Sequence, residues 1–185
     1  MSVDEIFTAL SSHMTKGVMF HVQMSDYYDF LNLRGYKRCH QYRAKCEMKH
    51  LHKLHKYYIN HYNRLIEEEP IQNPDVIPSS WYRYTRQDVD ANTKRSAVKN
   101  GIEKWVSWET ETKDLYEKMF KELMDLGEVS TANRMCCYIK GVDDELKWAE
   151  RTHIDLLAAD YDIEYILGKQ DYLHDMYKER IHDKY

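Results

Sequence analysis

With 185 residues, 43% of them hydrophobic, and a net charge of −4, the chain can bury one core and is expected to form a single domain over residues 1–185. The balance of charge excludes a general attraction to nucleic acid or acidic lipid, so neither is expected as a partner. The sequence has no run of about 18 apolar residues to cross a membrane, and the acidic start Met1-Ser2-Val3-Asp4-Glu5 does not read as a signal peptide.

Only 6 Gly and 3 Pro stand beside 31% charged residues, which predicts long helices with few turns. The first helix is expected from Val3 to Leu33, with an apolar stripe of Leu10, Met14, Gly17, His21, Met24, Tyr28 and Leu31 and a break near Ser11-Ser12 or Gly17. A tight turn at Arg34-Gly35 leads into a second helix, Tyr36 to Ile66. Its inner face carries Cys39, Arg43, Glu47, His50, Leu54, Tyr57, His61 and Leu65. Two long helices joined by a short turn run antiparallel.

From Glu67 to Asn92 the periodicity dissolves around Pro70, Pro74 and Pro78. A connection of about 25 residues is long for a compact domain and needs an explanation. Asn92 or Thr93 is expected to cap a third helix bearing Trp105, Trp108, Thr112, Leu115, Met119, Leu123 and Leu126, stopped at Gly127. A fourth helix starts near Ser130 or Thr131, with Ile139, Val142, Leu146, Glu150, His153, Leu157 and Tyr161 on one face, and runs toward Leu167, where Gly168 ends or bends it. A short helix from Gln170 to about His182 closes the chain.

The cysteines, Cys39, Cys46, Cys136 and Cys137, form no Cys-x-x-Cys pair, and reduced thiols in a cytoplasmic protein are expected. The 16 Tyr and 4 Trp must fill the core or cover an interface.

Two copies of one pattern carry the chemistry: Glu47-Met48-Lys49-His50 on the second helix and Glu150-Arg151-Thr152-His153 on the fourth. Positions i and i+3 share a helix face, so each copy points a carboxylate and an imidazole the same way. Such a set suits iron or manganese. Solvated helical ion pairs are the plain alternative, since 31 acidic residues and 10 His produce such pairs by chance. Both copies, however, fall where a four-helix bundle needs them. In their order (helix, turn, helix, crossover, helix, turn, helix) and in these residues, the chain resembles the ferritin-like superfamily of ferritins, bacterioferritins and rubrerythrins over nearly its whole length.

The resemblance implies an all-α, ferritin-like four-helix bundle: two antiparallel hairpins, a long crossover between helices 2 and 3, and a short C-terminal helix. It also implies a centre of two iron or manganese ions with ferroxidase or related oxidoreductase activity, in a homo-oligomer. A bundle serving as a structural or interaction protein with a degenerate metal site, and a small-molecule di-iron oxygenase, are the alternatives. No Cys-x-x-Cys exists to hold a rubredoxin iron.

The family pattern also asks for one inward carboxylate on each of the other two helices, and the sequence departs from it. The usual spacing lands on Met14 in the first helix, whose buried stripe offers His21 instead, with His13 and Met14 behind it. On the third helix Glu117 has the family spacing but points away from the apolar stripe. Glu109 is therefore favoured, with Glu111 close behind. The expected metal ligands are His21, Glu47, His50, Glu109, Glu111, Glu150 and His153. His52 and His55 are expected to be exposed, and His61, Asp160 and Glu164 to lean inward, with a solvated face favoured for Glu164.

Overall fold

The computed structural model describes residues 1–67 and 69–178. Among them are five α-helices and no strand: α1 Val3–Phe30, α2 Arg34–Tyr62, α3 Ala91–Asp125, α4 Val129–Ala158 and α5 Ile163–Lys178. The end of the expected C-terminal helix, 179–182, lies outside the described residues.

Helix α1 opens with a reciprocal cap, in which the Ser2 hydroxyl accepts from the Glu5 N–H while the Glu5 carboxylate accepts from the Ser2 N–H. It then runs unbroken for 28 residues, so the expected interruption at Ser11-Ser12 or Gly17 is absent. The turn that follows is made by Asn32 at φ 58, and Gly35 belongs to the first turn of α2. That glycine serves a different need: a Cβ there would lie 1.8 Å from the Gln170 carbonyl oxygen, so its absence lets α5 press onto α2.

Contacts along the helices fix their directions. Phe7 meets Tyr58 and His21 meets His40, so α1 and α2 run antiparallel. His13 bonds Thr112, and Gly101 lies against the Tyr28 hydroxyl, so α1 and α3 are antiparallel as well. Therefore α2 and α3 run parallel, as the crossover predicts. Tyr57–Thr131 and Arg43–Glu145 set α4 antiparallel to α2. Tyr42 against Tyr177 lays α5 along α2 in the same direction.

The crossover is held to the outside of α1 and α3. Gln23 bonds Asn73 and accepts from the Val76 N–H, Lys104 donates to the carbonyls of Asp75 and Val76 at 3.0 Å, and Trp81 packs edge-on to Tyr27. It then delivers the chain to Asp90, whose side chain caps α3 through the Thr93 N–H at 2.7 Å, slightly before the expected Asn92 or Thr93.

Helix α4 ends earlier than its apolar spacing suggests. Asp160 and Tyr161 take left-handed conformations at φ 49 and 52, and the Asp162 carboxylate then accepts from the N–H groups of Glu164 and Tyr165 to start α5. Buried Tyr161 keeps the apolar period going through a turn that contains no glycine, which hides the break from a periodicity reading. Gly168, the expected breaker, lies inside α5.

Buried apolar residues fall into two clusters at opposite ends of the bundle. One holds Met24, Tyr28, Ile102, Trp105 and Leu156. The other holds Leu10, Met14, Leu54, Tyr116 and Met135. Helices α1 to α4 each cross a polar stretch between them.

Candidate metal centre

That polar stretch brings together His21 from α1, His40, Arg43 and Glu47 from α2, Glu109 from α3 and Glu145 from α4. His21, His40, Arg43 and Glu109 are buried, while Glu47 and Glu145 are half-buried. Opposite Glu47 stands Gly17, where a Cβ would come within 3.6 Å of Glu47 Cγ and 3.2 Å of the Trp108 ring. The bare backbone of α1 leaves that carboxylate room.

The two imidazoles share one hydrogen bond, His21 Nδ1 to His40 Nδ1 at 3.0 Å. On the other side of its ring, His21 Nε2 faces Glu109 Oε1 at 3.7 Å, too far for a hydrogen bond, and is buried with no hydrogen-bond partner. Trp105 Nε1–H donates to the same Glu109 oxygen at 2.9 Å. The Arg43 guanidinium lies over the Trp105 ring at 4.7 Å and pairs with Glu145 at 2.8 Å.

One cation therefore faces three carboxylates. Burial, then Glu145, pushes the Glu109 carboxyl up to about 8 against the opposing effect of Arg43. Burial, then Glu145 and Glu109, raises Glu47 well above the usual carboxylate range. His21 and His40 are driven the other way, His21 by burial, then His40 and Arg43, and His40 by burial, then Arg43, so both rings are neutral. Burial also works against the charge on Arg43, but Glu145 foremost holds the guanidinium protonated. When all three acids are ionised, Arg43 cancels one charge and two remain. Two protons or one divalent cation can offset them.

Three of the seven expected ligands thus converge: His21, Glu47 and Glu109. His50 lies one turn along α2 with its ring edge-on to Tyr138 at 5.6 Å. Glu111 is exposed and accepts from Ser107. Glu150 is exposed and His153 is half-buried beside Tyr161 at 6.4 Å, so the anticipated convergence of both Glu-x-x-His pairs does not occur. The reason is the rotation of α4. Its buried stripe is Val142, Leu146, Ala149, Thr152 and Leu156, one position round from the stripe through Glu150 and His153, and this turns Glu145 to the centre.

His52 and Glu164 are exposed as expected, but three other residues differ from expectation. His55 bonds Ser11 at 2.7 Å, while His61 and Asp160 face solvent. Sequence reasoning missed His40 and Glu145 as members of the centre. A signal for Glu145 existed, because it lies at the height of Arg43 once α2 and α4 are set antiparallel.

Among the described residues, no three His, Cys, Asp or Glu side chains stand close enough, as placed, to hold one ion. A pair of ions does not fit this donor set, because α4 presents Ala149 and Thr152 where Glu150 and His153 would be needed and Arg43 already supplies one positive charge. For a single ion the chemistry does fit. Two carboxylates and the unpartnered His21 nitrogen are oxygen and imidazole donors with two negative charges to spare.

No family model and no curated protein matches the chain. Solved structures do match its fold. A humanized archaeal ferritin superposes with a TM-score of 0.77 at 15% identity, covering 94% of this chain and 96% of that one. An open pore ferritin from the hyperthermophilic archaeon Archaeoglobus fulgidus gives 0.75 at 15% identity, over 94% and 97%. A closed form of the Archaeoglobus fulgidus ferritin engineered by site-directed mutagenesis gives 0.74 at 15% identity, over 94% and 96%. The all-α bundle with its long crossover and short C-terminal helix, expected from the sequence, is the fold observed.

Proposed function

Taking the ferritin-like four-helix bundle as its fold, we propose that this chain is a metal-handling protein whose interior centre takes one divalent cation, iron or manganese, in exchange for two protons. The observation that carries the reading is the juxtaposition of Glu109 with the buried, unpartnered Nε2 of His21, beside Glu47 and in net negative surroundings.

The chain's own residues divide the work. Glu47 and Glu109 would supply oxygen ligands and release the protons they hold in the metal-free state. His21 would supply a neutral nitrogen, its ring oriented by the bond to His40. Trp105 orients Glu109. Arg43 and Glu145 form a fixed ion pair in place of a second metal. A bound ferrous or manganous ion would contribute Lewis acidity and a one-electron couple. The two-electron chemistry of a di-iron ferroxidase needs a second ion, for which α4 offers only Glu145, already paired with Arg43.

A second reading is favoured by the Arg43–Glu145 pair itself: the arginine has replaced the metals, and the bundle serves as a structural or interaction protein. The oxygenase alternative gains no support, because it calls for an apolar substrate cavity and the cleft beside His50 carries Lys53, Lys56 and Arg134 on its walls. Assembly into a homo-oligomer belongs to the proposal. It is supported by Ile154, Leu157, Tyr165, Leu167 and Tyr172, which α4 and α5 leave exposed. No helix among the described residues is long and apolar enough to cross a membrane.

Metal analysis of tag-free protein, loaded anaerobically with iron(II) or with manganese(II) and desalted, tests the reading. One ion per chain is expected. Two would restore the paired centre, and none would establish the arginine-compensated bundle.

A further inference from the structure

Away from the centre, α2 and α4 enclose a solvent-open cleft of ≈ 640 Å³, lined by Lys53, Lys56, Arg134, His50 and His61 together with Tyr57. No Asp or Glu is among the described residues that line it, although the whole chain is acidic. Lys53, Lys56 and Arg134 form no ion pair with a carboxylate among the described residues, while eight other Lys and Arg side chains do. The nearby acids are committed elsewhere: Glu145 to Arg43, and Glu128 to the Tyr62 hydroxyl at 2.9 Å. The charged side chains on its walls, Lys53, Lys56 and Arg134, are all cationic beside neutral Tyr57, Asn60, Cys137 and Tyr138, so the cleft has a positive potential, focused by its shape.

Its walls are also ordered. The Arg134 guanidinium lies on the Tyr57 ring at 4.5 Å, and the Tyr57 hydroxyl is tied to Thr131 at 3.0 Å. A planar fork fixed in this way is preorganised to donate two N–H groups to a phosphate. Across the cleft Lys53 and Lys56 are separated by about 4.5 Å of helical rise, a span that suits adjacent phosphoryl groups. The His61 ring lies parallel to Tyr57 at 5.2 Å and adds a flat wall. The volume falls within the roughly 300–1,000 Å³ typical of small-molecule sites.

We propose that this cleft binds a small organic polyphosphate of nucleotide size, its phosphates held by Arg134, Lys53 and Lys56. The site is separate from the metal centre and stands whether or not that centre takes an ion.

The test is calorimetric titration of the full metal-free chain, freed of chelator and held at constant ionic strength, with ATP, tripolyphosphate and orthophosphate. ATP and tripolyphosphate are expected to bind once per chain, and orthophosphate at least about tenfold more weakly. Lys53→Gln/Lys56→Gln and Arg134→Gln should each weaken the polyphosphates by about tenfold or more with unchanged circular dichroism. Lys118→Gln/Lys121→Gln on α3 should leave binding as it was. Absence of heat with both polyphosphates, equal affinity for orthophosphate, or undiminished binding by the cleft variants would overturn the proposal. So would binding of single-stranded DNA that tightens with oligonucleotide length, which would mark a macromolecular polyanion as the ligand.

Discussion

Replacing Glu109 with Gln should flatten part of the protein's dependence on pH. In the folded state the Glu109 carboxyl titrates at about 8, and in the unfolded chain at the ordinary value near 4.5. Between those values the folded state holds a proton that the unfolded state has released, so stability falls as pH rises. The buried neutral histidines act in the opposite sense. His13, lowered to about 4 by burial first and then Lys16, and His21 and His40 destabilise the fold as pH drops below the unfolded histidine value. Above about pH 7 they are neutral in both states and drop out. From about pH 7 to 8 the Glu109 titration alone removes about 1 kcal/mol, or roughly half a molar in urea midpoint. Glu47, also raised, adds to this.

The assay is urea denaturation of metal-free protein across that pH interval. Glu109→Gln keeps an oxygen for the Trp105 N–H and should reduce the decline, and Glu47→Gln/Glu109→Gln should abolish it. A wild-type midpoint that holds steady or climbs from pH 7 to 8, or a double variant that declines as steeply as wild type, would refute the argument that the surroundings of Glu109 and Glu47 raise both carboxyls.

Arg43→Met should cost about 3 kcal/mol in urea denaturation by leaving Glu145 without its cation. Adding Glu145→Leu should recover most of that loss, and a simple sum of two losses would speak against the pair. Gly35→Ala should destabilise by about 1–3 kcal/mol, because the new methyl meets the Gln170 backbone. Hydrogen exchange should then quicken in α5 before α1 or α3, and uniform exchange would contradict the close docking. Glu150→Gln and Glu111→Gln, both exposed, should change stability by less than about 0.5 kcal/mol and leave the metal count unchanged. A lost ion in either would return those residues to the centre.

The helices and their order were legible because apolar residues recur at helical spacing through α1, α2 and α3, and the prolines between residues 67 and 92 mark a crossover. The inward rings and acids of the first three helices, His21, Glu47 and Glu109, followed from the same stripes. Helix α4 was harder. Leu146 belongs to two candidate faces, one continuing through Ala149 and Thr152 and the other through Glu150 and His153, and the Glu-x-x-His pattern favoured the wrong one. Packing decides between them, since the small side chains of Ala149 and Thr152 are what lie buried. The role of Gly35 was hidden for a related reason: the α5 backbone that needs its bare Cα lies 135 residues away in sequence.

The most direct test of a one-ion, two-proton centre is isothermal titration of the chain with manganese(II) near pH 7, repeated in buffers of different ionisation enthalpy. The dependence of the observed heat on the buffer counts the protons released on binding. One ion bound per chain with release of about two protons is predicted, both lost in Glu47→Gln/Glu109→Gln. Two ions per chain, or binding of one ion with no proton released, would contradict it.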